Sequence, residues 1–197
     1  KGIEIVYMAD IPLAAAGSGL GSSSSLAVGV LNALYAYKGI HVSAERLARE
    51  ACQIEIETLK HPIGKQDQYI AAYGGLNYMR FNRDGSVFVD PVICSPATKQ
   101  AINKNIMLFY TGIQRYSSEI LEDQRGAIIE RLDYHHRLVA LADEMREHIC
   151  NDEAFTMGEL LHEGWENKKH LAANVSNSEI DNWYDKARKA GALGGKI

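Results

Sequence analysis

The hydrophobic and polar positions divide the chain into a mixed first half and a helical second half. Ile3–Met8 (IEIVYM) is short and β-branched and runs into Asp10-Ile11-Pro12, which predicts a strand entering a loop. Positions 14–25 hold only Ala, Gly and Ser apart from Leu20, a composition that by itself reads as a linker. The apolar run Leu26–Tyr37 follows at once, however, and stops before Gly39, a candidate C′ glycine. Loop and helix therefore read as one unit: a tight glycine-serine loop feeding a buried helix.

Ser43 is a candidate N-cap, with Glu45 in the first turn and apolar positions continuing at Leu47, Ala51, Ile54 and Leu59. His61-Pro62-Ile63-Gly64 breaks that helix, and a short one is expected over about 66–72, before Gly74-Gly75. Leu76–Phe81 and Ser86–Val89 predict a hairpin around Asp84-Gly85. Pro91 and Pro96 bound a connector, and Ile106–Tyr110 reads as a buried strand. From about Ser117, three amphipathic segments predict helices: 117–149, interrupted near Gly126, then 153–173 and 178–190. The fold class is α+β. Gly191–Ile197 reads as the approach to a further strand and the chain opens inside one, so an interior piece of a longer protein is expected.

Composition narrows the functions. The 197 residues are 46% hydrophobic, enough to bury a core, and the net charge is −4. A mildly acidic chain is a poor general binder of nucleic acid or membrane surfaces. No apolar run approaches the ~20 residues of a membrane span, and Lys1–Glu4 lacks a signal-peptide h-region. Cys52, Cys94 and Cys150 are odd in number and widely spaced, as expected of reduced thiols in a cytoplasmic protein. The histidines show no zinc-ligand spacing; His135-His136 reads as structural, and Trp165 and Trp183 as core or interface anchors.

The first candidate site is Gly17-Ser18-Gly19-Leu20-Gly21-Ser22-Ser23-Ser24-Ser25, opening a helix. Glycines let the backbone approach a phosphate, and unpaired N–H groups at a helix N-terminus point at the anion. Serine hydroxyls add donors or metal ligands, and four of them exceed what one cap needs. Neither a P-loop nor a dinucleotide fingerprint fits, since Ser22 stands where the last glycine of the latter belongs. The protein-kinase motifs are absent as well. A second candidate is Glu55-Ile56-Glu57 with Asp67-Gln68, where a Pro-Gly turn can fold Asp67 back beside a glutamate. One carboxylate could hold Mg²⁺ while another takes a proton from a hydroxyl. On these residues alone, a solvated acidic face explains the pattern better. Arg115, beside hydroxyls at a predicted helix start, could fork onto a phosphate or form a surface salt bridge.

The loop-helix at 17–26, with Gly64-Lys65-Gln66-Asp67-Gln68-Tyr69 and Tyr73-Gly74-Gly75, resembles the GHMP kinase superfamily. Its phosphate-wrapping G-L-G-S-S motif matches Gly19–Ser23, although Pro12 stands farther ahead than in the family and Leu13–Ala16 reads as a short insertion. The resemblance implies ATP and Mg²⁺ as cofactors and a catalytic aspartate at Asp67. It implies a Mg²⁺-binding glutamate at Glu55, with Glu57 as the fallback, and a Mg²⁺-binding serine at Ser23, with Ser22 close beside it. Gly17, Ser18, Gly19, Leu20, Gly21, Ser22, Ser23 and Ser24 would line the nucleotide phosphates, and Lys65 or Arg115 would offset charge or grip a substrate phosphate. It further implies a two-domain fold, an S5-like ATP-binding part within 1–100 and a ferredoxin-like, helix-rich part within 101–197. Residues 32–39, Gly75-Leu76-Asn77 with Phe81-Asn82, and Leu108–Gly112 with Ser117–Leu121 look most like the D-glycero-D-manno-heptose 7-phosphate kinases. The implied activity is ATP-dependent phosphorylation of O1 of that heptose phosphate. The alternatives are an L-fucokinase-like sugar-1-kinase and a catalytically silent nucleotide-binding fragment. Neither nucleic acid nor membrane is an expected partner, and a homodimer is left open. The family's first motif is absent and its third is cut off after Gly194-Gly195-Lys196, so the resemblance leaves an inactive isolated fragment as an expectation.

Overall fold

The apolar run behind the serines folds as α1, Ser22–Tyr37. It ends as its glycine predicts: Gly39 takes φ 69, its N–H donates to the Ala36 carbonyl, and that of Ile40 donates to Tyr35. This six-to-one and five-to-two pair is a Schellman stop, and a residue with a Cβ is strained there. Gly39→Ala is expected to destabilise the protein by about 1–2 kcal/mol, read as a lower urea midpoint at unchanged m-value.

The computed structural model describes residues 2–6, 8, 21–111, 128–172 and 175–197. Helix α2, Ala44–Cys52, is capped by the Ser43 side chain and continues into a π-helical turn, Gln53–Thr58. Helix α3, Gln66–Tyr73, follows the Pro-Gly break and packs on both α1 and α2. Val28, Leu47 and Ala51 form the core between these helices, and Ala48, Cys52 and Tyr69 form a second cluster beneath it. Glu45 in the first turn of α2 accepts from the hydroxyls of Tyr69 (3.0 Å) and Tyr73 (3.1 Å), which fixes α3 against α2.

Strands β1, Asn77–Phe81, and β2, Val87–Pro91, pair antiparallel with Met79 opposite Val89 and Phe81 opposite Val87. Met79, Val87 and Val89 back the Tyr69 cluster, as the period of two requires. Tyr78 turns the other way: its hydroxyl donates to Asp143, and the Arg146 guanidinium lies 4.8 Å over its ring. Those partners belong to α5, Leu132–Cys150, which pairs with α6, Thr156–Lys169. Arg137 bridges these two helices, binding Glu163 at 2.5 Å and Glu144 at 2.6 Å. Helix α7, Ser178–Lys189, places Ile180 against the fully buried Trp165, with Trp183 packed partly buried alongside.

Four expectations need correction. Residues 3–6 and 8 carry no strand, and Ile3, Ile5, Val6 and Met8 are exposed. Residues 106–110 likewise form no strand and expose all five side chains. A strand exists through its ladder, and among the described residues the one sheet is the β1–β2 hairpin, so β-propensity alone does not order either segment. The connector after Pro91 contains a helix, α4, Pro96–Asn105, capped by Ser95 and begun by Pro96 at its first position. Asp152 reinforces that cap, accepting from Ser95 N–H at 2.9 Å and Thr98 Oγ1 at 2.6 Å. Finally, the buried stripe of α2 runs through Ala48, Ala51, Cys52 and Glu55, while Ile54 and Leu59 are exposed.

Candidate active site

Helix α1 begins on a glycine in the left-handed region, Gly21 at φ 67, which has no side chain to cap the first turn. The helical ladder opens with Ser25 N–H on the Gly21 carbonyl at 2.9 Å, so the N–H groups of Ser22, Ser23 and Ser24 stand ahead of it. Donors in that position, at the positive end of the helix dipole, favour an anion. Gly17, Ser18, Gly19 and Leu20 lie outside the described residues, as does Arg115.

The serines divide their work. Ser23 is exposed and its hydroxyl donates to Glu55 Oε1. Ser24 points inward, 3% exposed, and donates to Glu55 Oε2 at 2.7 Å. Gln68 Nε2, from α3, donates to the same Oε2 at 2.6 Å. Glu55 itself is 2% exposed, in the π-helical turn, a distortion that recurs at functional sites. Glu57, by contrast, is exposed. A hydroxyl beside a single carboxylate is an all-oxygen, hard donor set of the kind Mg²⁺ uses together with substrate phosphates. Among the described residues no group of three or more His, Cys, Asp or Glu forms a dedicated metal cage.

Asp67 occupies the first turn of α3, and its carboxylate comes up against the tip of α1. A Cβ on Gly21 would lie 3.4 Å from both the Asp67 carboxyl carbon and Oδ2. The structure thus brings Gly21, Ser22, Ser23, Glu55 and Asp67 to one end of α1. Lys65 is directed elsewhere: residues two apart on a helix face apart, and its ammonium donates to the Gly85 carbonyl at 2.9 Å, at the hairpin turn. Burial pushes the thiol of nearby Cys52 up to about 11, which disfavours its thiolate. The inward roles of Ser24 and Gln68 escaped the sequence reading. The one available signal was a glutamine on the apolar side of a short helix, next to Tyr69 and Ala72.

Comparison with known proteins finds similar chains. Residues 1–75 match the family described as GHMP kinases N terminal domain. The chain is 32% identical over 189 residues to the D-glycero-alpha-D-manno-heptose 7-phosphate kinase of Campylobacter jejuni, covering 95% of this chain and 55% of that protein. It is 26% identical over 196 residues to the bifunctional fucokinase/GDP-fucose pyrophosphorylase of Arabidopsis thaliana, covering 93% of this chain and 18% of that protein. The crystal structure of a D-glycero-D-manno-heptose 1-phosphate kinase from Bacteriodes thetaiotaomicron superposes with a TM-score of 0.69 at 29% identity, over 92% of this chain and 50% of its own. The chain thus spans about half the length of the heptose kinases it matches. Among the described residues, no helix is long and apolar enough to cross a membrane.

Proposed function

We propose that the protein, whose residues 1–75 match the family of GHMP kinase N-terminal domains, transfers the γ-phosphoryl group of ATP to a sugar hydroxyl, O1 of a heptose 7-phosphate. The observation that carries this reading is the meeting of the Asp67 carboxylate with the open N-terminus of α1. The N–H groups of Gly21, Ser22 and Ser23, continued by the loop 17–20, would receive the β- and γ-phosphates. Ser23 and Glu55 would hold Mg²⁺, which when bound neutralises charge on those phosphates. Asp67 takes the proton of the acceptor hydroxyl as its oxygen attacks the γ-phosphorus. The bond to the β–γ bridging oxygen breaks, and ADP leaves with the electron pair. Such a transfer has a loose transition state, so positioning and electrostatics supply most of the rate. Arg115 would grip the acceptor's own phosphate through its guanidinium fork, whereas Lys65 braces the hairpin turn. On this reading, 1–100 is part of the ATP-binding domain and 101–197 part of the second.

The test is an ADP-release assay on the full-length protein with ATP, Mg²⁺ and a panel of D-glycero-D-manno-heptose 7-phosphate, the unphosphorylated heptose and L-fucose. A lost charge-assisted contact of about 1.5–3 kcal/mol makes the unphosphorylated heptose about 10- to 100-fold poorer in kcat/KM. A preference for L-fucose supports the fucokinase-like alternative that the plant relative suggests. ATP binding without transfer to any sugar overturns the enzyme reading.

A further inference from the structure

The two oxygens of Glu55 are held differently. Oε2 accepts two hydrogen bonds, from Ser24 Oγ on α1 at 2.7 Å and from Gln68 Nε2 on α3 at 2.6 Å. Both donors are sealed from solvent, Ser24 at 3% and Gln68 at 0% exposure. Among the described residues, Oε1 meets only the hydroxyl of Ser23, the residue of the three that faces outward. Gln68 keeps its amide nitrogen on Glu55 even though its own Oε1 is thereby buried with no partner among the described residues. A buried acceptor left unpaired calls for a reason, and turning the amide over would set oxygen against oxygen at 2.6 Å. Glu55 itself sits in the π-helical turn, a distortion of the helix that recurs at functional sites.

We propose that Ser24 and Gln68 are positioning residues that clamp Oε2 of Glu55 and reserve Oε1, beside Ser23, for a divalent cation. The inference rests on reading Glu55 as a cation ligand, and it takes Ser24 out of the phosphate-binding set and gives it to the carboxylate. Supporting partners of this kind orient a ligand, and their removal typically weakens metal binding about 10- to 100-fold.

The experiment titrates Mn²⁺, followed by electron paramagnetic resonance, into the full-length protein saturated with a non-hydrolysable ATP analogue. Wild type is compared with Ser24→Ala, Gln68→Met and the double variant. Each single change is expected to raise the Mn²⁺ dissociation constant about tenfold or more, the double by less than the product, because both hold one oxygen. Methionine keeps the shape of glutamine and removes an unpaired buried oxygen, which offsets the amide donor taken from Glu55, so Gln68→Met should melt close to wild type without cation. Nucleotide affinity in the absence of metal should stay unchanged. Mn²⁺ affinities within about threefold of wild type for both single variants overturn the clamp. So does a loss that simply follows a lowered melting temperature, and Ser24→Ala decides if Gln68→Met fails to fold. Wild type that binds no Mn²⁺ overturns the cation reading of Glu55 itself, and the clamp with it.

Discussion

Asparagine in place of Asp67 is expected to lower kcat about 10²- to 10⁴-fold in the full-length protein while leaving ATP affinity nearly unchanged. The substitution keeps the size of the side chain, so its close approach to Gly21 persists. It removes only the capacity to take a proton. Among the described residues none donates a hydrogen bond to the Asp67 carboxylate, so asparagine leaves no partner unpaired, and the fold should be indifferent to the change. A competing account makes Asp67 a helix acid that merely complements the first turn of α3. That account predicts a small stability loss, a few tenths of a kcal/mol to about 1 kcal/mol, with turnover intact. Steady-state kinetics beside thermal unfolding separate the two, and kcat within about tenfold of wild type removes the base assignment.

Helices were readable from the sequence wherever their ends carried local chemistry. Gly39 stops α1, Ser43 caps α2, and Asp84-Gly85 turns the hairpin, each through bonds within a few residues. The segment after Pro91 was misread because proline breaks a chain and also begins a helix. The capping Ser95 that distinguishes the two cases gains its force from Asp152, far along the sequence. The segments at 3–8 and 106–110 failed for a different reason, since β-rich composition specifies a strand only with a neighbour to pair with. The site shows the same division. Glycines and serines at a helix tip announce an anion through backbone N–H groups, a local property. The choice between Glu55 and Glu57 depends instead on which way a π-helical turn faces, and that is set by packing against α1 and α3. The resemblance implied Glu55, with Glu57 as the fallback; the contact with Ser23 supplies a geometric reason to prefer Glu55.

Glu55→Gln carries the second large expected effect, because it removes charge from this pocket while the fold can absorb the change. A glutamine there presents one amide face to Ser23, Ser24 and Gln68, all of which donate to Glu55 in the native protein. Hydroxyls can turn to accept, and Gln68 can reverse its amide, which brings its unpaired Oε1 onto the new donor. The buried carboxylate, with no cationic side chain among its described hydrogen-bond partners, is replaced by a neutral group. Unfolding without metal should therefore occur at or above the wild-type temperature. Cation-dependent charge stabilisation at the phosphates is worth several kcal/mol, so kcat/KM should fall about 10²- to 10⁴-fold. The extra stability that Mg²⁺ with ATP confers on wild type, which grows with ligand concentration over its dissociation constant, should shrink in parallel. A stable Glu55→Gln protein that keeps wild-type turnover and the full Mg²⁺-dependent shift would make Glu55 a core polar residue, and would move the cation to the phosphates and Ser23 alone.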